Sequence, residues 1–222
     1  MANSTMQSLI KTASELAVDK DFDRWTIEDH WIPTLNDAIK AVIIARPDSY
    51  VVDSVFACKA GTKQTLDEDV VLLFNVVRNV GGKAVGGLQD MKFLDDYRPE
   101  WRESTGKTAT DTYMYDETTP KTFYIYPGVV DGHQLEIQAA SIPALLDKTK
   151  YDANEKIALS PIWDNPVIEF MIYRTFSQDA EFAANGQRAA LALQAFNSLL
   201  GIKTQGDAMF ATSQQPEQQQ PK

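Results

Sequence analysis

The sequence predicts an α+β fold: a helical bundle built from both chain termini, an antiparallel β-rich domain inserted between them, and a flexible C-terminal tail. Apolar residues recur at helical spacing near both ends of the chain, and between them lie short β-branched and aromatic runs separated by turn residues. The segment 203–222 is Gln-rich, with a single apolar cluster at Ala208-Met209-Phe210-Ala211. These observations set the boundaries at 1–49 and 151–203 for the bundle, 50–150 for the β-rich domain and 204–222 for the extended tail.

The first helix is expected over 5–18, where Ser4 and Gln7 read as a capping box and Met6, Leu9, Ile10, Ala13, Leu16 and Ala17 share one face. A charged linker, 19–24, leads to a second helix starting near Thr26, with Asp29 as its capping partner. Pro33 lies inside that pattern and predicts a kink or a restart. Trp31, Leu35, Ala38, Val42 and Ala45 keep the helical step, and Arg46-Pro47-Asp48 stops it.

From residue 51 the period changes. Residues 51–59 read as a strand ending at the turn Ala60-Gly61-Thr62, and the apolar run 70–80 reads as a buried strand closed by Gly81-Gly82. Residues 88–97 suit a short helix and 112–116 a short strand. The segments 123–126 and 134–140 read as a hairpin, the second alternating Leu135, Ile137 and Ala139 inward. Connections this short exclude parallel crossovers, so the pairing is antiparallel. Pro161 opens a helix over 162–176 that is apolar on nearly every side, and another runs from about 179 to 200. Gly201 is its expected stop. No terminal helix can bury its apolar face alone, which argues for one bundle from both ends.

Composition narrows the function. The 222 residues carry 31 acids against 21 Lys and Arg, a net charge of −10 that disfavours gripping nucleic-acid phosphates. One Cys forbids an internal disulfide, and no apolar run approaches the length of a membrane helix. The start of the chain lacks the pattern of a signal peptide. Gly81-Gly82-Lys83-Ala84-Val85-Gly86-Gly87 lacks the residue order of a phosphate-binding loop and reads as a flexible turn. Asp67-Glu68-Asp69 and Asp95-Asp96 lack calcium-loop spacing and read as solvated charge. His30 and His133 have no nucleophile-elbow serine to serve. Trp25, Trp31 and Trp163 fall at core positions, with Trp101 the least defined. No catalytic, cofactor-binding or metal-binding residue is assigned, and an enzyme is not expected.

The order of short motifs resembles the head-to-tail adaptor proteins of short-tailed bacteriophages, the tail tubular protein A-like class. The motifs are Arg24-Trp25, Leu35-Asn36-Asp37-Ala38, Arg46-Pro47-Asp48, Ala60-Gly61-Thr62-Lys63-Gln64 and Val76-Val77-Arg78-Asn79, then Pro99-Glu100-Trp101, Phe123-Tyr124-Ile125-Tyr126-Pro127 and 173–181. The likeness spans about residues 5–202. It implies a structural connector without chemistry: a dodecameric ring beneath the phage portal protein, continuing the DNA channel and offering a platform to the tail nozzle (tail tubular protein B-like) and often to tail fibres. Genomic DNA would pass without sequence-specific binding, no membrane would be involved, and the protein would reside in the virion after assembly in the host cytoplasm. Twelve copies would carry a formal charge of about −120, which repels DNA from a channel wall within a Debye length of ~8–10 Å.

On this reading Met209, Phe210, Gln214 and Gln215 are the portal-binding candidates, because a polar segment with one apolar cluster can order against a pocket. Gly81, Gly82, Gly86, Gly87, Gly106 and Lys107 mark polar, unconstrained loops expected at subunit or nozzle contacts. The competing functions are a tail-associated carbohydrate-binding or carbohydrate-degrading protein, which needs paired acids and an exposed aromatic face, and an assembly chaperone that leaves the portal.

Overall fold

The computed structural model describes residues 3–178 and 183–213, and shows a protein of mixed helix and antiparallel sheet. Its residues fall into two compact units. The described residues through Arg46 together with those from Leu145 onward form one, and Pro47–Ala144 form the other.

The first unit is helical: α1 (Met6–Leu16), α2 (Ile32–Ala45), α4 (Lys148–Asp152), α5 (Asp164–Gln178) and α6 (Ala183–Ser213). The α1 cap differs by one residue from the sequence reading. Thr5 is the N-cap, accepting from the Ser8 amide at 3.3 Å, while the Ser4 hydroxyl donates to Asp164 at 2.5 Å and the Gln7 amide to Tyr151 O at 2.8 Å. Both side chains are drawn off by long-range partners that a local motif does not contain. Met6, Leu9, Ile10 and Ala13 form the buried face, but Leu16 is exposed. Ahead of α2, Thr26 caps a π-helical turn, Ile27–Trp31, and Pro33 then sits in the first turn of α2, where its missing N–H costs no bond. The linker before it is held by buried Asp19, whose carboxylate accepts from the amides of Arg24 and Trp25. α5 packs against α1, α2 and α6. α6 does not stop at Gly201: it runs on to Ser213, so residues 204–213, expected as extended tail, are helical. An interior glycine costs a helix only about 1 kcal/mol and breaks it only where a left-handed turn follows.

The second unit contains β1 (Val51–Ala57), β2 (Gly61–Thr65), β3 (Val70–Asn79), α3 (Met91–Tyr97), β4 (Thr112–Tyr115), β5 (Thr122–Val129) and β6 (Gln134–Ser141). They make two three-stranded antiparallel sheets, ordered β1-β6-β3 and β2-β5-β4. The expected β5–β6 hairpin is therefore absent. Each is the central strand of its own sheet, and the turn between them carries the chain across the core. Phe123, Ile125 and Val129 of β5 meet Leu135, Ile137 and Ala139 of β6 from the opposite sheet, with Phe56 stacked edge-on against Phe123. The outer face of β4 and β5 is covered by α3 and the 3-10 turn Pro99–Glu103, through Leu94, Trp101 and Met114.

Two further strands differ from expectation. Residues 61–65 are strand β2 rather than part of a turn, made possible by fully buried Gln64, whose amide clasps the N–H and C=O of Lys59 at 2.8 and 2.9 Å. β3 is not buried on both faces. Three register shifts against β6 leave Val70, Leu73, Val76 and Asn79 buried at every third position and turn Phe74 outward, 41% exposed.

Candidate functional site

Two loops of the β unit, residues 80–89 and 104–111, carry the six glycine and lysine positions expected at contacts. Gly81, Gly82, Gly86, Gly87, Gly106 and Lys107 are all exposed there. The structure brings the loops together, and neither is unconstrained. Their junction is Asn79, at the end of β3 and 2% exposed. Its side-chain nitrogen donates to the carbonyls of Lys83 and Thr110, both at 3.0 Å. Its oxygen accepts from the Thr110 amide at 2.9 Å and from His133 Nε2, also at 2.9 Å. An amide side chain has two donors and two lone pairs, so every position is used. Because Oδ1 only accepts, this bond places the proton on Nε2 of His133.

Backbone bonds continue the seam. The Gly86 amide donates to Asp111 O at 2.6 Å, Gln89 N to Tyr113 O at 2.9 Å and Val85 N to Val77 O at 3.1 Å. Lys83 and Asp111 form an exposed ion pair. A Cβ on Gly86 would stand 2.9 Å from Asp111 O, whereas Gly87 faces open space. On the second loop, Gly106 turns with φ +78°, and Lys107 N–H donates to Gly128 O while its own carbonyl accepts from Val130 N. Gly128 is obligatory there, since a Cβ would overlap Ser104 O at 2.0 Å. The result is a braced, exposed surface on the β unit.

The portal-binding candidates fall differently. Met209 and Phe210 lie within α6, in a stretch whose side chains are outside the described residues, and Gln214 and Gln215 lie outside them altogether.

The groups weighed for chemistry are used in packing. His30 is buried, stacked on Trp25, and bonded through Nε2 to Thr175 Oγ1 at 2.9 Å. That hydroxyl spends its own proton on Met171 O, so His30 is the donor. Burial holds both histidines below the ordinary imidazole pKa, with Gln178 and Asp19 partly opposing this at His30. The buried Cys58 thiol is pushed up to about 12 by desolvation, which removes the thiolate at neutral pH. All four tryptophans are buried, including Trp101, whose indole donates to Asp95 at 2.7 Å. Arg102 and that indole hold the Asp95 carboxyl below its usual range. In the 67–69 acidic run, the Lys121 ammonium bonds the carbonyls of Asp67, Glu68 and Val70, occupying the backbone oxygens that a cation would need. Among the described residues no three His, Cys, Asp or Glu converge as a metal set, and no helix is long and apolar enough to cross a membrane.

The sequence model of one family, described as SU10 adaptor protein, matches residues 4–217. Comparison with curated proteins gives no match.

Proposed function

The chain belongs to the SU10 adaptor protein family and is a phage head-to-tail adaptor, and from that premise we propose that it works as a dodecameric ring beneath the portal, extending the DNA channel and seating the tail nozzle. Membership implies a structural role in the virion connector, with the portal and the tail as partners. The observation that carries the proposal is the span of the match, residues 4–217, which takes in both units.

In this reading the helices of both termini act as one bundle that fixes the ring, and the paired loops of the β unit, around Gly81, Gly87, Gly106 and Lys107, meet the neighbouring subunit or the nozzle. Met209, Phe210, Gln214 and Gln215 dock on the portal, where simultaneous engagement by all copies multiplies a weak single contact through effective concentration. The net charge of −10 per chain keeps DNA sliding where the wall is acidic. Tail fibres attach to the same platform.

Native mass measurement of the chain mixed with purified portal tests this. One ring of twelve per portal is expected. A chain ending at residue 203 should lose most portal binding with its thermal melting almost unchanged, and one ending at 213 should retain the share carried by Met209 and Phe210. Absence of a complex, or absence of the protein from mature particles, overturns the proposal, and full binding by the shorter truncation overturns the docking role of the C-terminal residues.

A further inference from the structure

Strand β1 is an open sheet edge. Of the four edge strands in the two sheets, three carry a device that blocks further pairing. β3 is bulged and bridged along its outer side by Ala84 and Val85. β4 is bridged by Leu88 and Gln89. β2 has a register shift between Gly61 and Lys63, and Thr62 bonds Arg102 O of the adjoining 3-10 turn. β1 has none of these: it pairs β6 without a shift from Val51 to Ala57, and its sequence Val-Val-Asp-Ser-Val-Phe-Ala contains no proline and no lysine.

The direction of its free backbone groups follows from the ladder. Cys58, opposite His133, donates its N–H to His133 O at 2.7 Å. Alternate residues share that orientation, so Val52, Ser54 and Phe56 turn their backbone groups to β6. Val51, Asp53, Val55 and Ala57 turn theirs to the open side. Beneath that edge lies a groove of about 330 Å³, lined by Val52, Ser54, Phe56 and Val70 and by Asp67 and Asp69. The two aspartates are exposed, and their carboxylates make no ion pair among the described residues. On the other face of the strand, Val51 and Val55 are exposed, 43% and 59%.

We propose that β1 is a strand-addition site for an extended basic segment of a partner polypeptide. The open N–H and C=O groups of Asp53 and Val55 supply main-chain hydrogen bonds. Alternate side chains of the added strand then lie against Val51 and Val55 or enter the groove, where Asp67 and Asp69 select lysine or arginine. A second copy of this chain fits less well, because its own net charge of −10 opposes the same carboxylates.

The site belongs to the isolated chain, so its test is independent of ring assembly. The probes are a short labelled peptide alternating valine with lysine and its counterpart alternating valine with glutamate, titrated against the full chain by fluorescence anisotropy. The lysine peptide should bind, more weakly as salt rises, and slow hydrogen exchange at the Asp53 and Val55 amides. Val55→Pro removes an N–H that faces away from β6, so the fold should persist while affinity drops about tenfold or more. Val55→Thr, which keeps that N–H, should bind as the wild type does. Asp67→Asn with Asp69→Asn should cost severalfold in affinity and flatten the salt dependence. No binding of the lysine peptide at millimolar concentration, equal binding of the glutamate peptide, undiminished binding by a folded Val55→Pro chain, or β1-mediated self-association at low salt would each overturn the proposal.

Discussion

Replacing Asn79 by alanine isolates the brace between the candidate contact loops. The side chain makes four hydrogen bonds, two of them to the N–H and C=O of fully buried Thr110. Removing it orphans those two buried groups, at about 1–2 kcal/mol each, and leaves His133 Nε2 to water, at about 0.5–1 kcal/mol, while Lys83 O keeps the bond it accepts from the Asn79 backbone N–H. The expected loss is therefore about 2.5–5 kcal/mol. In a unit of this size that corresponds to a fall in Tm of about 10 °C or more. Urea unfolding measures the total, and hydrogen exchange of the amides of Thr110 and Gly86 localises it. Asn79→Asp keeps both acceptor bonds but sets carboxylate oxygens against the Lys83 and Thr110 carbonyls, so it should rescue little. An alanine variant within about 0.5 kcal/mol of wild type, or one whose loop amides exchange at the wild-type rate, would refute the account of these loops as a braced surface.

Three other outcomes follow from the same geometry. Gly86→Ala should destabilise by about 1–2 kcal/mol, because its Cβ meets Asp111 O at 2.9 Å, while Gly87→Ala, facing open space, should be neutral in urea unfolding. His30 and His133 both have folded pKa values below the unfolded value of 6.5, so the unfolded chain takes up protons first. Their contribution is complete above about pH 6.5 and is lost as pH falls toward each folded pKa, and His30→Gln should flatten the urea midpoint between pH 7 and 5. Cys58, its thiol raised to about 12, should label with a thiol reagent only as fast as the native chain opens, and rapidly in urea.

Features set by nearest neighbours were legible in the sequence. The alternation of β6, the buried face of α1 and the restart at Pro33 depend on local period and backbone sterics. What stayed hidden depends on distant partners. β2 reads as polar because its burial rests on Gln64 folding back onto the Lys59 backbone. The apparent β5–β6 hairpin has the right turn residues, but β1 and β3 claim both sides of β6. The bulges that give β3 a period of three leave only an uninterrupted apolar run. Of the candidate surface, exposure of the glycine loops was legible and their coupling was not. Its one signal is an asparagine closing an apolar strand immediately before Val80-Gly81-Gly82, a polar residue where burial demands partners.

The distribution of acids around β1 bears on how an adaptor stays free before assembly. An edge strand with outward Val51 and Val55 is a hazard, since like edges pair indiscriminately. The usual remedies, proline, lysine or a bulge, would close the edge to every partner. Acidic residues beside it act selectively. Asp53 on the strand and Asp67 and Asp69 lining the groove oppose a second copy of a chain that is itself acidic, yet they favour a basic strand. The strength of that discrimination depends on ionic strength, because exposed charges are screened within ~8–10 Å. High salt should then weaken the proposed basic ligand and relax the exclusion of self-association together, a paired response that apolar stickiness alone would not produce.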